Sequence, residues 1–111
     1  MKNLLAIILI AFTSTIIITS CVSKTPLSEE NQVYAGKWVA SDDTWIQIFN
    51  DGGGNLELSN TTVTGGSAVF ADGTIKIEVM GIGSTFVIDE PPYEEDGKWI
   101  MKLDGIDYVK E

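Results

Sequence analysis

Four Asp-Gly pairs, at Asp51-Gly52, Asp72-Gly73, Asp96-Gly97 and Asp104-Gly105, constrain this chain more than any other feature. Aspartate tolerates left-handed backbone, and glycine has no Cβ to clash there, so the pair suits tight hairpin turns. Turns at such close spacing leave room only for short strands between them, which predicts an all-β antiparallel meander.

The runs between the turns support this. Strands are expected at Gly36 to Ser41, Thr44 to Asn50, Asn55 to Ser59, Thr61 to Thr64, Ser67 to Phe70, Thr74 to Met80, Thr85 to Ile88, Lys98 to Leu103 and Ile106 to Lys110. Several alternate with period two: Ile75, Ile77 and Val79 fall on one face, as do Trp99, Met101 and Leu103. Gly65-Gly66 is expected to split two strands, Gly81 and Gly83 to break another, and Pro91-Pro92 to stop the one before it. A small meander has two sticky edges, and closing it removes both. The expected fold is therefore a barrel of about eight short strands over residues 34–111, with its interior filled by side chains.

The N-terminus follows a different rule. Lys2 is followed by an aliphatic run from Leu4 to Phe12, extended by Ile16 to Ile18, then by the small residues Thr19 and Ser20 and the chain's single cysteine, Cys21. The run is shorter than the roughly 20 apolar residues a membrane span needs. It has the charged, apolar and small-residue order of a secretory signal, expected as a signal-peptide helix over residues 1–20. A lone cysteine in an exported protein cannot close an intramolecular disulfide. Ile18-Thr19-Ser20-Cys21 resembles the lipobox of bacterial lipoproteins. That resemblance implies cleavage between Ser20 and Cys21 and a diacylglycerol thioether, with palmitate-type acyl chains, on Cys21. Two or three acyl chains hold a protein firmly to a bilayer. The implied address is the bacterial cell envelope, and the outer membrane in a Gram-negative host. Val22 to Gln32 is polar and aperiodic, so residues 21–33 are expected to form the lipidated cysteine and a flexible tether spanning about 18 Å.

Charge narrows the partners. The formal charge is −9, and residues 1–20 hold one lysine and no acid, so the mature chain carries −9 − 1 = −10. Nucleic-acid binding needs clustered cations to displace counterions, and six scattered lysines among sixteen acids argue against it. The plainer reading is that the acids keep a small exported domain soluble; the other is that they favour a basic envelope partner.

Catalysis finds no support. The chain has no histidine, its cysteine is expected to carry lipid, and no serine has a visible base. No cofactor is expected. Asp51 with Asn55, and Glu94-Glu95-Asp96, offer oxygen ligands without calcium-loop spacing, so no metal is expected. Tyr93, beside Pro91-Pro92 in an acidic stretch, is the candidate partner contact.

Gly36-Lys37-Trp38 at the head of the first strand, Phe49-Asn50-Asp51-Gly52, and Asp96-Gly97-Lys98-Trp99 leading to Leu103-Asp104-Gly105 together resemble the small lipocalin-like (calycin-like) domains of bacterial lipoproteins. The resemblance implies that Trp38 closes the barrel base, with a later basic residue packed on it and Trp99 in the same core. The chain has no arginine, and the sequence does not single out which lysine takes that place. The expected role is a membrane-anchored binding or accessory module. The alternatives are a carrier of a small apolar ligand, or an acidic inhibitor of a basic envelope enzyme.

Overall fold

The computed structural model describes residues 24–111. The signal-peptide helix and the cleavage and lipidation expected at Ser20 and Cys21 lie outside the described residues.

Eight antiparallel strands form a closed barrel, each paired to its neighbours in chain order. They are β1 (Gly36–Ala40), β2 (Trp45–Ile48), β3 (Gly53–Glu57), β4 (Thr62–Ala71), β5 (Thr74–Val79), β6 (Ile82–Glu95), β7 (Lys98–Leu103) and β8 (Ile106–Lys110). The last strand pairs with the first: Trp38 faces Lys110, Val39 faces Val109 and Ala40 faces Tyr108. With that pairing, the terminal strands leave no open edge along the closing seam.

The turns follow the glycine chemistry, with one exchange. Asp72-Gly73, Asp96-Gly97 and Asp104-Gly105 are two-residue hairpins with both residues at positive φ, the geometry whose twist matches the flanking strands. The fourth such hairpin is Met80-Gly81 (φ 52° and 83°) rather than Asp51-Gly52. Asp51 instead sits in a wider turn, where the Gly52 N–H donates to the Phe49 carbonyl oxygen (3.0 Å). Gly81 therefore joins two strands, and Gly83 lies within β6.

Two strands are longer than expected. Thr62–Thr64 and Ser67–Phe70 belong to a single ten-residue β4, which runs on through Gly65-Gly66 with a bulge rather than a break: Thr64 and Gly65 stand opposite Asn55, and Gly66 pairs with Gly54. The extra residue is accommodated because Gly65 takes φ 72° and its N–H donates to Asn55 Oδ1 (2.7 Å). The fourteen-residue β6 runs straight through Pro91-Pro92, which the sequence reading took as a stop. From Ile82 to Val87 it pairs with β5, and from Ile88 to Glu95 with β7. The prolines fall in a register irregularity between Glu90 and Tyr93, where β6 has one partner strand and a missing N–H costs no ladder bond on the other side.

Alternation sorts the side chains. Trp38, Ile46, Ile48, Leu56, Val63, Ile75, Ile77, Met101 and Leu103 are fully buried, and Ala68, Phe86 and Tyr108 nearly so. At the inward position Gly54, an added Cβ would meet Ala68 Cβ and Ile77 Cγ2, both at 3.2 Å. A methyl group there would fit only if Ala68 or Ile77 gave way by a few tenths of an ångström.

The segment expected to be tether is part of the domain from Lys24 onward. Leu27 is 9% exposed, and its N–H donates to the Asn50 carbonyl oxygen (3.0 Å). A Cβ on Gly52 would run into the Thr25 carbonyl, so glycine is what lets this segment lie down. Glu29–Tyr34 then forms a 3-10 helix that leads into β1, with Tyr34 buried. The polar composition of residues 22–32 hid this docking, because it hangs on one apolar side chain and on backbone groups.

Candidate functional site

The barrel has two unlike ends. The start of β1 and the turns β2–β3, β4–β5 and β6–β7 lie at one; the turns β1–β2, β3–β4, β5–β6 and β7–β8 lie at the other. The 3-10 helix and the segment Lys24–Ser28 attach to the first, called here the closed end.

Trp38 is the centre of the closed end. It is fully buried, and its indole Nε1–H donates to the Tyr34 carbonyl oxygen (2.9 Å), so β1 is fastened to the helix that precedes it. Lys110, at the end of β8, places its Nζ 5.0 Å from the Trp38 ring centroid and 5.8 Å from that of Trp99. The same ammonium donates to the Val33 carbonyl oxygen (3.3 Å). One lysine thus joins the last strand, the first strand and the helix, by attraction to ring faces and a charge-assisted hydrogen bond. The sequence left the basic partner of Trp38 open; the register pair Trp38–Lys110 selects it. Trp99 is half-buried on the same side. The Tyr34 ring packs against that of Phe70 at 4.9 Å, tilted by 57°, and burial pushes its phenol above the usual tyrosine range.

The candidate contact Tyr93 lies on the outer wall and is not isolated. In register across five strands stand Tyr93 on β6, Ile100 on β7, Val109 on β8, Val39 on β1 and Trp45 on β2. Each neighbours a buried inward residue in its strand or pairs directly with one that does, so the row faces out. Tyr93 is exposed and the other four are half-buried. The row crosses the β8–β1 seam, where Val39, Ser41, Ile106, Asp107 and Val109 border an open cleft of about 530 Å³. Sequence alternation placed Trp45 and Val39 on strands. Their alignment with Tyr93, some fifty residues away, needed the closed register.

Acids border this row. Partial desolvation raises the Tyr93 phenol above its ordinary value, and the nearby Glu90, Glu95 and Asp107 push the same way, with Lys102 opposing. Lys37 covers the Trp45 ring at 4.6 Å and lies 3.8 Å from Glu111. The surface is an apolar strip in an acidic setting.

Other polar candidates are committed to structure. Asp51 accepts the Gly53 N–H (2.8 Å) and pairs with Lys24 (3.4 Å), and the first of these, then the second, hold its carboxyl below the usual aspartate range. Asn55 caps the β4 bulge. Asp42 accepts both the Thr44 hydroxyl (2.7 Å) and its backbone N–H (3.1 Å), which lower its pKa. Asp89 and Asp104 tie the bend of β6 to the β7–β8 turn, accepting from Gly105 (2.5 Å) and Val87 (2.9 Å). Among the described residues, no three His, Cys, Asp or Glu side chains gather as a metal site.

Comparison with protein-family models, with curated proteins and with solved structures gave no match for this chain.

Proposed function

We propose that this protein is a lipid-anchored envelope module that binds a basic protein through the outer wall of its barrel. The observation that carries the reading is the row Tyr93–Ile100–Val109–Val39–Trp45, an apolar strip crossing five strands on the surface of a domain whose acids outnumber its lysines sixteen to six. Aromatic residues in a polar, charged surround are the usual core of a recognition patch. A net side-chain charge of 6 − 16 = −10 over residues 24–111 disfavours a second copy and steers a cationic partner. The inward positions carry bulky side chains, with Gly54 hemmed in by Ala68 and Ile77, which favours a binding module over a carrier of a small apolar ligand.

The anchor rests on the resemblance of Ile18-Thr19-Ser20-Cys21 to a lipobox. A lipocalin-like barrel is supported by the closed end, where Trp38 of the Gly-x-Trp meets a basic residue from the last strand.

The test uses the lipidated protein in detergent-solubilised envelope. Wild type recovers a basic protein in a salt-sensitive manner, and the double variant Tyr93→Ala/Trp45→Ala, folded by circular dichroism, does not. Equal recovery by both removes the wall as the binding face. Separately, Cys21→Ser shifts the protein from the carbonate-washed membrane pellet to the soluble fraction; continued pelleting removes the anchor.

A further inference from the structure

We infer that the barrel stands on the bilayer with its closed end down, holding the turns of the opposite end away from the lipid. The inference rests on the lipid-anchor reading of Cys21, and its geometry comes from the docked segment. Leu27 is fastened to Asn50 and Lys24 to Asp51, both contacts at the β2–β3 turn of the closed end. Gly52 has no side chain where Thr25 crosses it, so the segment is seated against that turn.

Only Val22 and Ser23 separate Cys21 from Lys24. Three Cα–Cα steps reach at most about 11 Å even when fully extended. The lipid attachment point is therefore confined to the neighbourhood of one rim. Strands of five to six residues, such as β3 and β5, run about 17–20 Å, which at a barrel tilt of roughly 40° puts the other rim about 13–15 Å away, still beyond that reach. A free tether over residues 21–33 would have imposed no such preference.

Charge does not select between the rims: Lys24, Lys37, Lys98 and Lys110 lie at the closed end, but so do Glu29, Glu30, Asp51, Asp72, Glu94, Glu95, Asp96 and Glu111, while the opposite turns hold Asp42, Asp43 and Asp104. The short link is what sets the orientation. With the closed end down, the wall that carries Tyr93 and Trp45 stands upright from the bilayer and is open to a partner from the side.

The lipid consumes the only native thiol, so one added cysteine gives a unique label. Full-length Asn50→Cys at the closed end and Ser59→Cys at the opposite end are labelled with a fluorophore. The lipidated proteins are reconstituted into phosphatidylcholine–phosphatidylglycerol vesicles carrying a headgroup nitroxide quencher. The expected result is quenching at position 50 at least threefold that at position 59. Inserting ten Gly/Ser residues between Ser23 and Lys24 should bring the two values together. Flotation with equal quenching in the uninserted protein, or stronger quenching at position 59, overturns the orientation alone. A ratio that survives the insertion overturns the short link as its cause. Failure to float with the vesicles overturns the anchor and the orientation together.

Discussion

The two ends of the barrel are made from the same hairpin chemistry and are stabilised very differently. Both have two-residue turns with glycine at positive φ. At the closed end, a 3-10 helix, Trp38, Lys110, Tyr34 and Phe70 bring together residues from both ends of the chain. At the other end no segment covers the turns: the β7–β8 turn is tied to β6 through Asp89 and Asp104, but Met80 is 80% exposed, and Ile82 and Ile106 are also exposed. Turn chemistry sets where strands reverse, but it leaves an end bare unless a distant segment is brought to cover it. In this chain the covering segment precedes the first strand and is locked by the last.

Three substitutions probe that contrast. Trp38→Ala removes the buried ring and its bond to Tyr34, and should cost about 3–5 kcal/mol, enough to unfold a domain with a small reserve. Thermal unfolding by circular dichroism checks it; an unchanged midpoint would mean that the closed end does not hold the barrel. Lys110→Met keeps most of the aliphatic stem but loses the bond to Val33 and the cation over two indoles. The expected loss is about 1–2 kcal/mol in urea unfolding, with Lys110→Arg closer to wild type. If Met and Arg at this position behave alike, the lysine contributes packing alone. At the bare end, Met80→Asn places a residue suited to positive φ in a hairpin turn and removes an exposed apolar side chain. It should leave stability unchanged or raise it by about 0.5 kcal/mol. A loss above about 1 kcal/mol would show that Met80 has a partner and that the two ends are less different than described.

Much of the wall was legible because its causes are local. Ile75 and Ile77, and Met101 with Leu103, alternate with polar neighbours, and that alternation fixes which side each faces once they are strands. Asp72-Gly73, Asp96-Gly97 and Asp104-Gly105 act through the φ values of two residues. Met80-Gly81 was missed because the same geometry was reached by a residue without a turn preference, held by the pairing of Val79 with Ile82. Gly65-Gly66 read as a break since its remedy, the Asn55 side chain, lies ten residues back on another strand.

The candidate surfaces were legible only in pieces. Tyr93 and Trp38 were visible singly, as an aromatic in an exposed-looking stretch and as a Gly-x-Trp tryptophan. What each faces depends on register across strands that are far apart in sequence. Sequence alone determined the strand–turn rhythm, the inside and outside of most strands and the acidic balance. Each of those is a property of neighbours along the chain. Tertiary structure alone decided that β8 closes on β1, that Lys110 rather than another lysine lies over Trp38, that Pro91-Pro92 can sit within a strand, and that residues from Lys24 onward dock. Those outcomes follow from burial and pairing between residues brought together only when the sheet curls shut, and no local pattern encodes the shear at which it does so.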